Sequence, residues 1–234
     1  MRLFLLTYIF MSFFCFATAQ SLPESLYPPD TLAISHHSAW TKTHYHEKIK
    51  EFKKNPLTMG DIVFLGNSIT EQGSDWGKRL GWSSNVKNRG ISGDVSEGVL
   101  KRLDEITYVK PKAIFLLIGI NDIFNDSTTP EYVAGNIIAI AKNIRRASPN
   151  TKLFVQTVLP SATRAIKEKI QQTNSLLKEK AGQKIYILLN IHPLFTDGEG
   201  LMKKDYTTDG THLNENGYAV WVNYLKKKLP NFDH

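Results

Sequence analysis

The sequence predicts an α/β fold in which a five-stranded, mostly parallel sheet lies between two layers of helices. Short apolar runs alternate along the chain with longer segments in which apolar residues recur at helical spacing. Runs that are apolar throughout are typical of strands buried on both faces, and such strands form parallel sheets. The alternation favours helices on both faces of the sheet, so we expect a three-layer α/β/α sandwich.

The individual elements follow from the same two patterns. Five apolar runs predict the strands: Ile62–Leu65, Val86–Asn88, Ala113–Ile118, Leu153–Val158 and Ile185–Leu189. Helical spacing predicts five helices: Ser38–Lys54, Val95–Leu103, Pro130–Ala147, Ala162–Ala181 and Glu215–Lys228. Ligands of such sheets bind beyond the carboxyl ends of the strands, so residues that directly follow a strand are candidates for a site.

The N-terminus has the pattern of a secretory signal peptide over residues 1–19. Arg2 precedes an apolar stretch from Leu3 to Phe16, and the small residues Ala17-Thr18-Ala19 form a cleavage site. The apolar stretch is shorter than the roughly 20 residues that span a membrane. We expect cleavage after Ala19 and a secreted or periplasmic protein; the alternative is an uncleaved membrane anchor. Residues 20–37 are expected to form an extended leader, and residues 38–234 a single domain.

Composition and charge exclude several classes of function. The net charge of +7 comes from lysines spread over predicted helix faces, whereas nucleic-acid binding favours a basic stripe interleaved with aromatic residues. Cys15, the one cysteine, lies in the predicted signal peptide, so the mature chain forms no disulfide and depends on its core.

His44 and His46 are two positions apart on a predicted helix and do not face each other, so we expect both to be solvated. We expect no metal site.

A serine, an aspartate and a histidine carry the chemistry that the sequence predicts. Ser68 directly follows the first predicted strand, and Asp209 stands three residues before His212. A serine hydroxyl becomes a nucleophile when an imidazole takes its proton and a carboxylate fixes the tautomer of that imidazole. The three residues therefore predict a serine hydrolase. The alternatives are a helix cap for Ser68 and a turn residue for Asp209.

Two further segments offer hydrogen-bond donors for an oxyanion. Gly93 lies in a glycine-containing turn after the second predicted strand, which suits the presentation of a backbone N–H. Asn121 follows the most apolar strand and carries an amide side chain. Donors aimed at the charge that develops in a tetrahedral intermediate lower the barrier to acyl transfer.

Four blocks together resemble the SGNH (GDSL-type) hydrolase superfamily. They are Gly66-Asn67-Ser68-Ile69, Ile91-Ser92-Gly93-Asp94, Gly119-Ile120-Asn121-Asp122 and Asp209-Gly210-Thr211-His212. Their order and spacing are similar to those of that family, and they span most of the mature chain. Within the family, the chain looks most like a secreted bacterial group related to platelet-activating-factor acetylhydrolase subunits and to sialate or carbohydrate O-acetylesterases.

The resemblance implies a flavodoxin-like sheet and a role for each matched residue. Ser68 would be the nucleophile, His212 the general base and Asp209 the residue that orients His212. The backbone N–H groups of Ser68 and Gly93 and the side chain of Asn121 would form the oxyanion hole, and no metal or organic cofactor would be needed. Asn67 stands where the family usually has Asp, which is expected to leave catalysis intact.

The expected function is the hydrolysis of short-chain esters, acetyl esters of a carbohydrate above all. The alternatives are a lysophospholipase or thioesterase, and a catalytically silent binding module. The expected partner is a small-molecule or carbohydrate ester, with no nucleic acid and no stable membrane insertion after signal cleavage. Trp76 and Trp82, which follow the nucleophile segment, are expected either in the core or in the wall of the substrate pocket.

Overall fold

The computed structural model describes residues 21–230 and residue 232, so the predicted signal peptide lies outside the described residues. The sheet has five parallel strands in the order β2-β1-β3-β4-β5. The strands are β1 (Ile62–Gly66), β2 (Val86–Gly90), β3 (Ala113–Leu117), β4 (Lys152–Gln156) and β5 (Ile187–Leu189). This order is that of flavodoxin-like sheets. The predicted fold class is therefore confirmed, with every strand parallel.

Ten helices surround the sheet in the described residues. They are α1 (Ala39–Lys54), α2 (Ser68–Glu71), α3 (Trp76–Leu80), α4 (Ser96–Leu100), α5 (Leu103–Val109), α6 (Ile120–Ile123), α7 (Pro130–Ala147), α8 (Lys167–Ala181), α9 (His192–Phe195) and α10 (Glu215–Lys228). Short 3₁₀ turns occur at Glu24–Leu26, Arg164–Ile166 and Lys204–Tyr206. The helices α7 and α10 have the predicted bounds, and α1 begins after Ser38, whose side chain accepts a hydrogen bond from Thr41 N–H.

Two predicted helices differ from the observed ones. The segment 95–103 is broken at Arg102, whose non-helical backbone (φ −124°, ψ 27°) ends α4 and lets α5 begin at Leu103. The segment 162–181 becomes helical only at its 3₁₀ turn, because Ala162 N–H donates instead to the carbonyl of Gly210, at 2.7 Å. Both departures come from contacts between residues far apart in the sequence, which local spacing does not reveal.

The core is built on aromatic side chains from three neighbouring strands. Phe64, Phe115 and Phe154 lie in register on β1, β3 and β4, and their rings stack at 4.8 and 4.7 Å. Trp76 stacks on Phe64 at 4.3 Å and is 1% exposed, and Trp82 packs against Phe115. Trp76 therefore lies in the core, and Trp82 is partly buried against it.

The described part of the leader packs on α1. Tyr27 and Ile34 are buried in a second apolar cluster with Tyr45, Ile49 and Phe52 of that helix, together with Ile91 and Val95. The hydroxyl of Tyr27 donates to the carboxylate of Glu105 at 3.3 Å. Among the described residues, no helix combines the length and the apolar character needed to cross a bilayer.

Candidate active site

At the carboxyl edge of the sheet, His212 lies within hydrogen-bond distance of both Ser68 and Asp209. Ser68 is the first residue of α2, two positions after the end of β1. Its Oγ lies 2.9 Å from Nε2 of His212, and Nδ1 of His212 lies 2.6 Å from Oδ2 of Asp209. If Nδ1–H donates to the carboxylate, Nε2 is free to accept from the serine hydroxyl. This is the arrangement that activates a serine nucleophile.

A local turn places Asp209 beside His212. Oδ1 of Asp209 accepts hydrogen bonds from the backbone N–H groups of Thr211 and His212, at 2.9 and 2.8 Å. Partial burial raises the pKa of Asp209, but the hydrogen bonds from His212 and Thr211 outweigh it and lower the pKa to about 2. Asp209 is therefore a carboxylate at neutral pH.

The turn before Ser68 leaves no room for larger residues. A Cβ on Gly66 would lie 2.2 Å from the carbonyl oxygen of Leu117 and 2.3 Å from Oγ1 of Thr70. Asn67 caps α2, since its side-chain oxygen accepts from Ile69 N–H at 3.1 Å. An aspartate would cap the helix in the same way, so Asn67 keeps the cap without placing a negative charge beside Ser68.

The two predicted oxyanion donors meet at a second turn. Gly93 has φ +79°, and a Cβ on it would lie 2.5 Å from Oγ1 of Thr41. Asn121 donates one amide hydrogen to the carbonyl of Asp94, at 2.8 Å, which leaves its second amide hydrogen available. Among residues 21–230, no acceptor takes a hydrogen bond from the backbone N–H of Ser68 or of Gly93. These donors are the ones an oxyanion needs.

A buried ion pair holds the Gly93 turn against the strands. The carboxylate of Asp94 accepts from Nε of Arg102 and from Nε2 of His37, both at 3.0 Å, and lies 2.9 Å from Nη2 of Arg102. Arg102 also donates to the carbonyls of Arg89 and Gly66, at 2.7 and 2.9 Å. Sequence reasoning missed this cluster, because its members come from separate elements and follow no fixed spacing.

Glu71 links the end of α2 to the same turn. Its carboxylate accepts from the backbone N–H and the hydroxyl of Ser92, both at 2.6 Å, and from Nε2 of His44 at 3.0 Å. Burial raises the pKa of Glu71, but the hydrogen bonds from Ser92 and His44 outweigh it and lower the pKa. The expectation that both helix histidines are solvated is therefore wrong: His44 pairs with Glu71, and the ring nitrogens of His46 are buried.

An exposed tryptophan flanks this part of the site. Trp40 is 61% exposed, and its ring stacks on that of His44 at 4.9 Å with an angle of 11° between the planes. Its neighbour Thr41 contacts Gly93. Trp40 is therefore an exposed aromatic side chain next to the residue that contacts Gly93, and sequence reasoning did not single it out.

Hydrogen bonds to Asp122 hold in place the turn that carries Asn121. Its buried carboxylate accepts from the backbone N–H of Ser96, at 3.0 Å, and from the Ser96 hydroxyl. Burial raises the pKa of Asp122 to about 6 despite these hydrogen bonds.

Among the described residues, no group of three or more histidine, cysteine or acidic side chains is placed to hold a metal.

Comparisons with known proteins show the family to which the chain belongs. Residues 64–220 match the GDSL-like lipase/acylhydrolase family, a range that includes Ser68, Gly93, Asn121, Asp209 and His212. Platelet-activating factor acetylhydrolase IB subunit alpha1 of Rattus norvegicus is 29% identical over 188 residues, which are 77% of this chain and 78% of the relative. The alpha2 subunit of Gallus gallus is 30% identical over 68% of this chain and 71% of its own length.

Solved structures show the same fold. A GDSL-like lipase from Bacteroides thetaiotaomicron has a TM-score of 0.68 and 26% identity, and covers 79% of this chain and 96% of its own. A protein from Streptococcus pneumonia whose name refers to platelet activating factor has a TM-score of 0.73 and 30% identity. It covers 81% of this chain and 94% of its own. The chain therefore belongs to the GDSL-like lipase/acylhydrolase family, within the SGNH hydrolase superfamily, and is a carboxylic-ester hydrolase.

Proposed function

We propose that the protein hydrolyses short-chain carboxylic esters, acetyl esters of a carbohydrate above all, through an acyl-enzyme formed on Ser68. The observation that carries this proposal is the triad, in which Ser68 Oγ lies 2.9 Å from Nε2 of His212 and Nδ1 of His212 lies 2.6 Å from Asp209. The relatives named as acetylhydrolases support acetyl as the acyl group.

The first half of the reaction forms the acyl-enzyme. Nε2 of His212 takes the proton of the Ser68 hydroxyl as Oγ attacks the ester carbonyl. Asp209 holds the imidazole in the required tautomer and stabilises the imidazolium. The N–H groups of Ser68 and Gly93 and the amide of Asn121 donate to the oxyanion. His212 then gives its proton to the leaving alcohol as the bond between the carbonyl carbon and that oxygen breaks.

The second half releases the acid. A water molecule gives its proton to His212 and attacks the acyl carbon, so a second oxyanion forms in the same donors. Collapse of this intermediate breaks the bond to Ser68 Oγ, and His212 returns the proton to the serine. Each turnover therefore consumes one ester and one water, and yields one acid and one alcohol.

The short connections between the elements support a short acyl group. From α1 to α10, no connection between helices or strands is longer than ten residues except 196–214, which contains the 3₁₀ turn Lys204–Tyr206 and carries Asp209 and His212. The side chains of His212 and Asp209 are 29% and 52% exposed. Each buried methylene of a long acyl chain contributes about 0.8 kcal/mol. A long chain would therefore need a cover that these short connections do not supply.

The position of Trp40 supports a carbohydrate as the alcohol. The flat face of a sugar ring carries C–H groups that pack on an aromatic face. Trp40 offers such a face next to the Gly93 turn and is held by its stacking on His44.

The alternative is a lysophospholipase or a thioesterase, which would use the same triad on another ester. This alternative is tested because relatives of the chain are named for platelet-activating factor. A catalytically silent binding module is disfavoured, because Ser68 and His212 are both present and within hydrogen-bond distance.

The acyl specificity is tested with p-nitrophenyl acetate, octanoate and palmitate, using the mature protein and Ser68→Ala. We expect kcat/KM to be highest for acetate, and Ser68→Ala to lose turnover while its thermal midpoint stays unchanged. A rate that rises with chain length would favour the lipid alternative. Release of acid from none of the esters by folded protein would contradict the proposal.

The alcohol is tested by comparing an acetylated xylo-oligosaccharide with platelet-activating factor. We expect faster release of acetate from the oligosaccharide. Trp40→Ala should raise KM for the oligosaccharide about tenfold, a loss of about 1.4 kcal/mol, and leave p-nitrophenyl acetate unaffected. The control is Tyr108→Ala, an exposed aromatic residue on α5. Equal loss in both variants would contradict the role of Trp40.

We also propose export of the protein to the periplasm or the medium, on the pattern of residues 1–19. Expression in a bacterial host with two membranes, followed by intact mass analysis, tests this. We expect an exported chain that begins at Gln20. Full-length protein retained in the membrane fraction would support the uncleaved anchor instead.

A further inference from the structure

The leader reaches the active site through one buried histidine. The side chain of His37 is 3% exposed, and its Nε2 lies 3.0 Å from Oδ1 of Asp94, which is fully buried. Residues 21–63, and with them the leader, lie outside the range that matches the family. The contact therefore joins a segment before the matched range to the turn that presents Gly93.

Asp94 connects both candidate oxyanion donors. It follows Gly93 directly, and its backbone carbonyl accepts the amide of Asn121 at 2.8 Å. A rotation of Asp94 about its backbone would therefore move the N–H of Gly93 and the side chain of Asn121 together. What fixes the side chain of Asp94 also fixes the spacing of these two donors.

Three hydrogen bonds hold the carboxylate of Asp94. Oδ2 accepts one from Nε of Arg102, whose Nη2 lies 2.9 Å away, and Oδ1 accepts one from Val95 N–H at 3.0 Å and one from His37. Since the carboxylate is paired with Arg102, it acts as an acceptor and His37 donates through Nε2. Without His37, Val95 N–H is the one donor to Oδ1 that remains among the described residues.

The side chains packed around this contact leave no space for another donor to take the place of His37. A Cβ on Gly98 would lie 1.8 Å from Oδ1 of Asp94 and 3.2 Å from Nε2 of His37, so a side chain at this position would clash. On the other side the His37 ring packs against Tyr45, at 5.3 Å, and the Tyr45 hydroxyl donates to the Gly98 carbonyl at 3.1 Å. Truncation of His37 therefore leaves a hole beside Asp94 that no neighbouring side chain fills.

We infer that His37 is a positioning residue of the oxyanion hole: through Asp94 it holds the Gly93 N–H and the Asn121 amide where the oxyanion forms. This inference rests on the proposed acyl-enzyme reaction. The leader is then a working part of the enzyme, although it lies outside the family match.

The test compares His37→Ala and His37→Gln with the unchanged protein, on p-nitrophenyl acetate and with a trifluoromethyl ketone, which binds serine hydrolases as an oxyanion. Small displacements of donors reduce catalysis steeply. We expect His37→Ala to lower kcat about 10- to 100-fold, to change KM less than about twofold and to weaken ketone binding by about the same factor as kcat. His37→Gln, whose amide N–H can replace Nε2–H, should recover most of both.

Tyr27→Phe is the matched control, because it removes one buried hydrogen bond of the same leader, to Glu105, that does not involve the carboxylate of Asp94. We expect Tyr27→Phe to keep kcat and ketone affinity even where its thermal midpoint falls as far as that of His37→Ala. An unchanged kcat in His37→Ala, or an equal loss in Tyr27→Phe, would overturn the inference. The Ser68→Ala variant tests the proposed reaction separately. Turnover that survives in Ser68→Ala would contradict the acyl-enzyme reaction itself and not only the role of His37.

Discussion

The two halves of the active site are built in different ways. Asp209 and His212 are three residues apart in one turn, and their side chains are 52% and 29% exposed. Asp94 and Arg102, which support the oxyanion side, are 0% and 3% exposed, and Arg102 donates to backbone carbonyls of two strands. The pairing of Asp209 with His212 in the exposed half is made within one turn. The buried half couples catalysis to the stability of the whole fold.

The largest effect is expected from breaking the buried half. Arg102→Met leaves the carboxylate of Asp94 without its cation, and removing one partner of a buried ion pair costs about 3–5 kcal/mol. The free energy of unfolding, measured in urea, should fall by that amount. Arg164→Met, which removes an exposed ion pair with Glu199, is the control and should change it by less than about 1 kcal/mol. Equal losses in the two variants would remove the distinction between the halves.

Asn121→Ala should separate catalysis from stability on the same side. Removing one oxyanion donor lowers kcat about 10²- to 10³-fold, or about 3–4 kcal/mol in the barrier. The free energy of unfolding should fall by only about 1 kcal/mol, since one hydrogen bond to the carbonyl of Asp94 is lost. The control is Asn150→Ala, at an exposed position. A kcat within threefold of the unchanged enzyme would contradict the role of Asn121.

Asp122 predicts a pH dependence of stability. Burial raises its pKa from 3.8 to about 6, so the folded state binds the proton more tightly than the unfolded state. Its contribution to stability is therefore fully present below about pH 4 and is lost as the pH rises through 6, by up to about 3 kcal/mol. The free energy of unfolding is measured against pH for the unchanged protein and for Asp122→Asn. The variant should lack the decline near pH 6, although its free energy of unfolding can differ by a constant amount. Curves of the same shape for the two proteins would contradict the role of Asp122.

Asp209 predicts a smaller dependence of the opposite sign. Its pKa is lowered to about 2, so its contribution is present above about pH 4 and is lost as the pH falls towards 2. Because its side chain is half exposed, solvent screens the interaction, and we expect less than about 1 kcal/mol. Unfolding of Asp209→Asn between pH 2 and 5 measures this. A larger loss would mean that the exposed turn also supports the fold.

The comparison explains how much could be predicted from the sequence. The apolar strands, the Ser68 turn and the pair Asp209 and His212 are local patterns, and the structure brings the last three residues together. The buried half depends on contacts between distant segments. Arg102 was placed inside a predicted helix, although its side chain breaks that helix to reach Asp94 and Gly66. His37 and Trp40 gave no signal, because their importance lies in what they contact.

The most direct test of the central claim, that Ser68 is the nucleophile, is intact mass and peptide mapping after reaction with a fluorophosphonate. We predict one adduct per chain, located on Ser68, with no adduct in Ser68→Ala and much slower labelling in His212→Ala. An adduct on another residue, formed equally fast in Ser68→Ala, would contradict the claim.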